Sequence, residues 1–471
     1  MPENPSPYTS PSPPAPLGSR PEIGLSGDTV FWGLLTTQFL GAFNDNYFKQ
    51  MVLLKCTDLA TTAKYDLQPL AMAAFALPFV LLSGLGGYIS DRYSKRAVVI
   101  LCKVLEIVVM LAALQVLLMS GVTAKAQLQL LILVLALMGA QSAIFGPAKY
   151  GILPELFSSK KLLPVNGAIQ MTTFMAIIFG MAGAGIALDR LGNSLWLCSL
   201  IAVGIAVVGT ATSFLIRPTP VADSGLKLQA GNLFVPRDVR ELFRTDTRLL
   251  KAILVMMMFW FIGGVAQPAV NSLGENVLHL SKTRTSMLAA SIGVGIAIGC
   301  VIAGFVNRGS NSGGARWTTQ GSWMIVGSLL LITLLGSGLA GRPQESAGVP
   351  ESIWQCLLQA DSVEWMLRIG MLMLGVSAGV FVVPIQVFIQ QAPPAEQKGR
   401  LIGAMNFITW IGILLSAGYL AVMNVALARL SPEGRSHEYQ FLVFLSLALL
   451  MVPVATRYRL PVAGQVASSS E

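Results

Sequence analysis

The stretch Gly41-Ala42-Phe43-Asn44-Asp45-Asn46-Tyr47-Phe48 places a carboxylate between two carboxamides, and Lys49 follows. The flanks Val30–Leu35 and Met51–Leu54 are apolar, so these groups lie within a segment of membrane-spanning character. An ionisable side chain at that depth is costly and is usually kept for a pathway or a gate. Asp45 and Lys49 are spaced i, i+4, on one helical face, so they either neutralise one another or join Asn44 and Asn46 in handling a polar group. A second constellation is Phe145-Gly146-Pro147-Ala148-Lys149-Tyr150-Gly151-Ile152-Leu153-Pro154-Glu155-Leu156, continued by Asn166, Gln170, Thr172 and Thr173. It ends an apolar segment, where the Lys149 ammonium can reach a phosphate at headgroup level; Glu155 is expected to pair with Lys160 or Arg92. A third is Gly87-Tyr88-Ile89-Ser90-Asp91-Arg92-Tyr93-Ser94-Lys95-Arg96, in which Gly87 is expected to permit close helix approach. Asp91 is expected to accept hydrogen bonds from helix-end amides or an arginine elsewhere, closing one side of the molecule.

These residues need a scaffold that spans a bilayer. The 471 residues are 54% hydrophobic and only 12% charged, with a mean hydropathy of +0.66. A soluble domain carries about 25% charged residues, so the chain is an all-α polytopic membrane protein. Twelve apolar segments are predicted at 29–54, 69–89, 97–119, 128–147, 166–188, 194–216, 249–271, 285–306, 320–340, 366–390, 401–426 and 440–456. The longest polar break among them, 217–248, divides the chain into two six-helix halves, 29–216 and 249–457. Within that linker, 236–248 reads either as an amphipathic helix on the membrane surface or as a solvated helix. Residues 1–28, rich in Pro and Ser, read as a disordered tail rather than a secretory signal, and 458–471 as a short polar tail. With both ends cytoplasmic, 20 basic residues fall on the inner side and 9 on the outer, which satisfies the positive-inside rule. The net charge of +9 follows from those loops and implies no nucleic-acid partner. Gly304-Phe305-Val306-Asn307-Arg308, after the eighth segment, weakly repeats the loop after the second but has Asn307 where that loop has Asp91.

The loop from Gly87 to Arg96 resembles the signature G-x-x-x-D-R-x-x-[KR]-[RK] of the major facilitator superfamily, which implies two six-helix halves that rock about a central site. The first-helix F-x-D-N, the string P-A-K-Y-G-I-L-x-E-L, the following N-G-x-x-x-x-T-T and Gly379-Val380-Phe381-Val382-Val383-Pro384-Ile385-Gln386 together resemble the bacterial lysophospholipid transporter family, over roughly residues 30 to 455. The resemblance implies a multi-pass protein of the bacterial inner membrane that carries lysophospholipid from the outer to the inner leaflet for reacylation. The acyltransferase and acyl-carrier-protein synthetase modules fused to some members have no counterpart after Arg459, so reacylation is expected from a separate chain. Some members carry a basic residue in the seventh helix; here Phe259–Ala266 leads to Gln267, which leaves Asp45 at most a hydrogen bond to that amide. Gln141, Asn271, Gln386, Gln390 and Asn406 are further candidates to line the interface between halves, and Lys103 and Glu106, spaced i, i+3, are expected to satisfy each other.

Other function classes are less well served. A drug or amphiphile exporter on the same fold, coupled to protons through Asp45 or Glu106, is the alternative. An enzyme is not expected: no His falls within a segment, and no H-E-x-x-H or phosphate-loop motif occurs. Five scattered cysteines have no metal spacing, and no cofactor is implied. A coupling ion, sodium or proton, is left open, as are headgroup preference and oligomeric state.

Overall fold

The computed structural model describes residues 25–63, 66–221, 237–306, 313–338, 355, 360–391, 398–431 and 436–461. The expected tails up to Gly24 and beyond Pro461, most of the linker, the Asn307–Arg308 repeat and the side chains of Lys160 and Gln390 lie outside the described residues. Twelve long helices account for most of what is described: α1 (Thr29–Ala63), α2 (Gln68–Arg92), α3 (Lys95–Leu118), α4 (Ala124–Gly151), α5 (Ser159–Leu191), α6 (Leu195–Ser213), α7 (Thr247–Ser272), α8 (Lys282–Val306), α9 (Gly313–Ser337), α10 (Ser362–Gln391), α11 (Lys398–Leu430) and α12 (Phe441–Arg457). Local chemistry sets several ends. Pro69 opens α2, where its missing N–H costs nothing. Thr123 caps α4 by accepting from the Ala126 amide, and Asp246 caps α7 by accepting from the amides of Arg248 and Leu249. Beyond α7 the chain makes a π-helical turn, Leu273–Val277, before α8.

The packing repeats with a shift of six helices. In the first half α1 packs on α5, α2 on α4, and α3 on α6; in the second α7 packs on α11, α8 on α10, and α9 on α12. The halves meet through α5 against α8 and α2 against α11, which are related by the same shift. Such symmetry between two six-helix units is the signature of transporter repeats. Each half has its own apolar core, built in the first around Phe48, Leu54, Met110 and Leu135 and in the second around Met256, Leu329, Phe381 and Phe444. Outward-facing apolar side chains such as Leu101, Val108, Leu133, Val301, Val422 and Leu449 are more than half exposed, as lipid-facing surfaces require.

Two close approaches matter for rigidity. A Cβ on Gly375 would lie 2.1 Å from the Ile292 carbonyl oxygen, and one on Gly299 would lie 2.2 Å from that of Val376, so α8 and α10 touch backbone to backbone. In the linker, Arg237–Thr245 is helical, and Val239 is fully buried while Leu242 and Phe243 pack against the second core. This helix is therefore docked on protein, neither solvated nor laid only on the membrane.

Candidate functional site

Successive residues of a helix point about 100° apart, so the polar run of α1 serves three directions. Asn44 has no exposed surface and donates to Glu106 Oε1 of α3 at 2.8 Å; Glu106 also accepts from Lys103, the expected pair. Asp45 keeps some exposure and accepts from the Ser142 hydroxyl of α4 at 2.7 Å. Asn46 turns back to donate to the Ala42 carbonyl at 2.8 Å. Lys49 lies 5.4 Å from the centre of the Phe75 ring and forms no ion pair with Asp45 among the described residues. The i, i+4 spacing therefore does not lock the carboxylate, and the amide nitrogens of Asn44 and Asn46 donate to Glu106 and Ala42 rather than to it.

At the end of α4 the second constellation assembles. Lys149 donates to Gln38 Oε1 of α1 at 3.3 Å and sits 4.6 Å over the Tyr150 ring. The Tyr150 hydroxyl lies 3.4 Å from Gln170 Oε1, and Thr172 accepts from Gln38 Nε2 at 2.9 Å. Lys149, Tyr150, Gln170 and Thr172 are thus brought together, as their motif suggested. Gln38, almost fully buried, is the residue that joins them, and sequence reasoning missed it. Asn166 is exposed and bonds only its own helix, at the Leu162 carbonyl.

The signature loop departs from expectation in three ways. The close approach belongs to Gly86, where a Cβ would meet the Ala143 carbonyl oxygen at 2.8 Å; a Cβ on Gly87 would meet nothing within 4 Å. Asp91 is exposed and has no hydrogen bond or ion pair among the described residues. Glu155 pairs with Lys95 at 2.5 Å, not with Arg92, and Gly151 leaves the room along which Lys95 lies. Arg92 stacks near Tyr88 and Tyr93, and Arg96 donates to the Ile216 carbonyl at the end of α6, at 2.5 Å. Lys95 and Arg96 therefore staple the first half to itself. On this basic face Gln170, Tyr150 and Asn406 are exposed, and an added Cβ at Gly146, Gly167 or Gly403 would meet open space; a cleft between the halves opens here.

The opposite face is closed by a seam in which Gln50 and Gln68, not singled out in the sequence, meet Gln267 and Asn271 of the other half. Gln267 Nε2 donates to Gln50 at 3.0 Å, Gln50 donates to Asn271 at 2.9 Å, and Asn271 donates to Gln68 at 3.1 Å. Gln68 reaches Ser272 at 3.0 Å. Gln267 is thus engaged with Gln50 rather than with Asp45. Beyond the amides, Lys282 pairs with Asp58 and, at 3.5 Å, with Glu275, and Asp189 accepts from the amides of Lys282 and Thr283 at 3.0 and 2.7 Å. Asp66 accepts from Asn424 at 3.1 Å. Phe79 and Trp410 stack at 3.6 Å between α2 and α11.

Within the second half, Phe259, Ile262, Gly263, Ala266, Ile296 and Phe381 line a small apolar cavity. Gln386 is half-buried and has no hydrogen bond among the described residues. No cluster of three His, Cys, Asp or Glu side chains that could hold a metal occurs among the described residues.

Two six-helix halves joined by one closed seam, with the Asp45 carboxylate beside Ser142, accord with the family model that matches residues 24–417, and the chain belongs to the Major Facilitator Superfamily. It is a multi-pass membrane transporter and not an enzyme. In sequence it is similar to the lysophospholipid transporter LplT of Yersinia pestis (strain Pestoides F), 25% identical over 403 residues that cover 83% of this chain and 84% of that one. LplT of Yersinia pseudotuberculosis serotype I (strain IP32953) gives the same figures. In structure it is similar to the POT family transporter PepTSo, with a TM-score of 0.64 at 11% identity over 91% of this chain and 98% of that one. A D-xylose-proton symporter gives a TM-score of 0.63 at 14% identity, over 92% and 98%.

Proposed function

We propose that this protein carries lysophospholipids from the outer to the inner leaflet of the bacterial inner membrane, where a separate acyltransferase or acyl-carrier-protein synthetase reacylates them. The observation that carries the reading is the pair of polar sets on the first half, Asp45 with Ser142 and Lys149 with Gln38 beside Tyr150 and Gln170. A carboxylate and a cation set on otherwise apolar helices suit a molecule with one polar head and one acyl chain. Lys149, held by Gln38 and Tyr150, supplies a cation for the phosphate, and Asp45 a carboxylate for an ammonium or hydroxyl of the head. The likeness to the LplT proteins supports the same reading. The basic face, with Arg92, Lys95, Arg96 and Lys149, is the cytoplasmic one under the positive-inside rule, so the structure is the inward-open state and the seam is the outer gate.

The test is uptake of labelled lyso-phosphatidylethanolamine and lyso-phosphatidylglycerol into proteoliposomes. Wild-type protein is expected to move them, and Asp45→Asn and Lys149→Ala to reduce uptake about tenfold or more, the scale of one lost charge-assisted contact. Wild-type rates from both variants would remove these residues from the path. Efflux of amphiphilic cations without lysolipid movement would replace the reading with a drug exporter.

A further inference from the structure

Lys103 and Glu106 of α3 are the most deeply buried ion pair among the described residues, with side chains 1% and 2% exposed. They face α1 and α6, away from the cleft. Lys103 lies in a slot left by two glycines: a Cβ on Gly41 would stand 3.0 Å from its Nζ, and one on Gly209 would stand 3.0 Å from its Cε. Thr210 of α6 donates to the Lys103 carbonyl at 3.0 Å. The two carboxylate oxygens of Glu106 are divided between two partners, Lys103 Nζ on Oε2 and Asn44 Nδ2 on Oε1. The Asn44 carbonyl oxygen is buried with no partner, so the bond to Glu106 is the side chain's single tie among the described residues.

A buried ion pair is seldom more stabilising than apolar side chains of the same volume. What an apolar pair could not supply here is the acceptor for Asn44. That residue adjoins Asp45, and a helix whose rotation is fixed at one position has it fixed at the next, about 100° around. With Asn44 tied to α3, the Asp45 carboxylate falls opposite Ser142 on α4 and keeps its exposure. The slot at Gly41 and Gly209 then has a purpose: it admits the lysine whose Nζ meets Glu106 Oε2.

We propose that the Lys103–Glu106 pair is a positioning element for transport, which through Asn44 sets the rotation of α1 and thereby aims Asp45 at Ser142 and the cleft. The functional importance of that aim rests on the reading of Asp45 as a headgroup contact; the geometric claim does not.

The experiment has one arm for each. In a background with the five native cysteines replaced, Asp45→Cys and Ser142→Cys are introduced together, and the rate of oxidative cross-linking in membranes is followed. Asn44→Ala and the pair Lys103→Met/Glu106→Leu both remove the tie and are expected to slow cross-linking about tenfold, the change a lost hydrogen bond to a charged group produces. Lys103→Met/Glu106→Gln keeps a side-chain oxygen for Asn44 and is expected to cross-link like the parent. Unchanged cross-linking in Asn44→Ala, which leaves the ion pair intact and cannot fail through a buried charge, overturns the proposal. So does slow cross-linking in the Gln variant with its melting temperature retained, because charge rather than an acceptor would then be what holds α1. The second arm measures lysophospholipid uptake with Asp45 and Ser142 restored, and the Gln variant is expected to outperform the Leu variant in maximal rate. If wild-type protein moves no lysolipid while the cross-linking order holds, the functional reading fails and the positioning role stands.

Discussion

Gln38 concentrates more of the site in one side chain than any other residue. Its amide nitrogen reaches the Ile169 carbonyl, Thr172 and Thr173, and its oxygen accepts from Lys149 and Thr173. Both threonines also donate to carbonyls of their own helix, so they stay satisfied without it. Gln38→Leu is therefore expected to leave the melting temperature close to wild type while lowering lysophospholipid uptake about tenfold, as the cation loses an acceptor that orients it. Uptake unchanged by the substitution would show that Tyr150 alone suffices to place Lys149. The sequence did not single out Gln38, because it stands alone among apolar residues and its partners lie more than a hundred positions away. Lys149, Tyr150 and Gln170 were legible because they share a motif at the end of one segment. Glu155 shows the converse limit: two cations seemed to be within local reach, yet the fold delivers Lys95 from another loop.

Helix faces explain what the elements disclosed and what they hid. Apolar length alone pointed to the spanning helices, since a helix must cross about 30 Å of hydrocarbon. Rotation was harder, because adjacent positions differ by about 100° and both Gly86 and Gly87 suit a tight contact by type. The structure separates them. Gly86→Ala places a methyl against the α4 backbone and is expected to cost about 1–3 kcal/mol, whereas Gly87→Ala meets open space and is expected to be neutral or slightly stabilising. Thermal unfolding in detergent reads the difference; equal melting temperatures would contradict the packing of α2 on α4. The first-half members of the amide seam were hidden for another reason. Gln50 and Gln68 sit near segment ends, where polar residues are unremarked, and their partners Asn271 and Gln267 belong to the other half.

The whole molecule is closed at one face by groups that differ in their response to pH. Asp66, in the loop between α1 and α2, is half-buried against Gln68 and Asn424, and the loss of solvent there raises its carboxyl above the ordinary range. A carboxyl that holds its proton more tightly when the face is closed than when it is wetted favours closure as pH falls toward that raised value and opposes it as pH rises beyond. Distances between spin labels at the closed ends of α2 and α11 are therefore expected to shift toward the shorter population on acidification, and Asp66→Asn to weaken that shift. A pH response unchanged by the substitution would assign it to another group. The charges around Asp45 have a different consequence. Asp45, Lys49, Lys103 and Glu106 sum to zero when ionised, so any displacement of this group does little electrical work. Under the proposed function, membrane voltage then acts on Lys149 and on the cargo. A zwitterionic lysolipid carried inward would cross nearly free of it, whereas an anionic one brought to a negative interior would climb about 2.3 kcal/mol per 100 mV, and an energised cell would sort the two by headgroup.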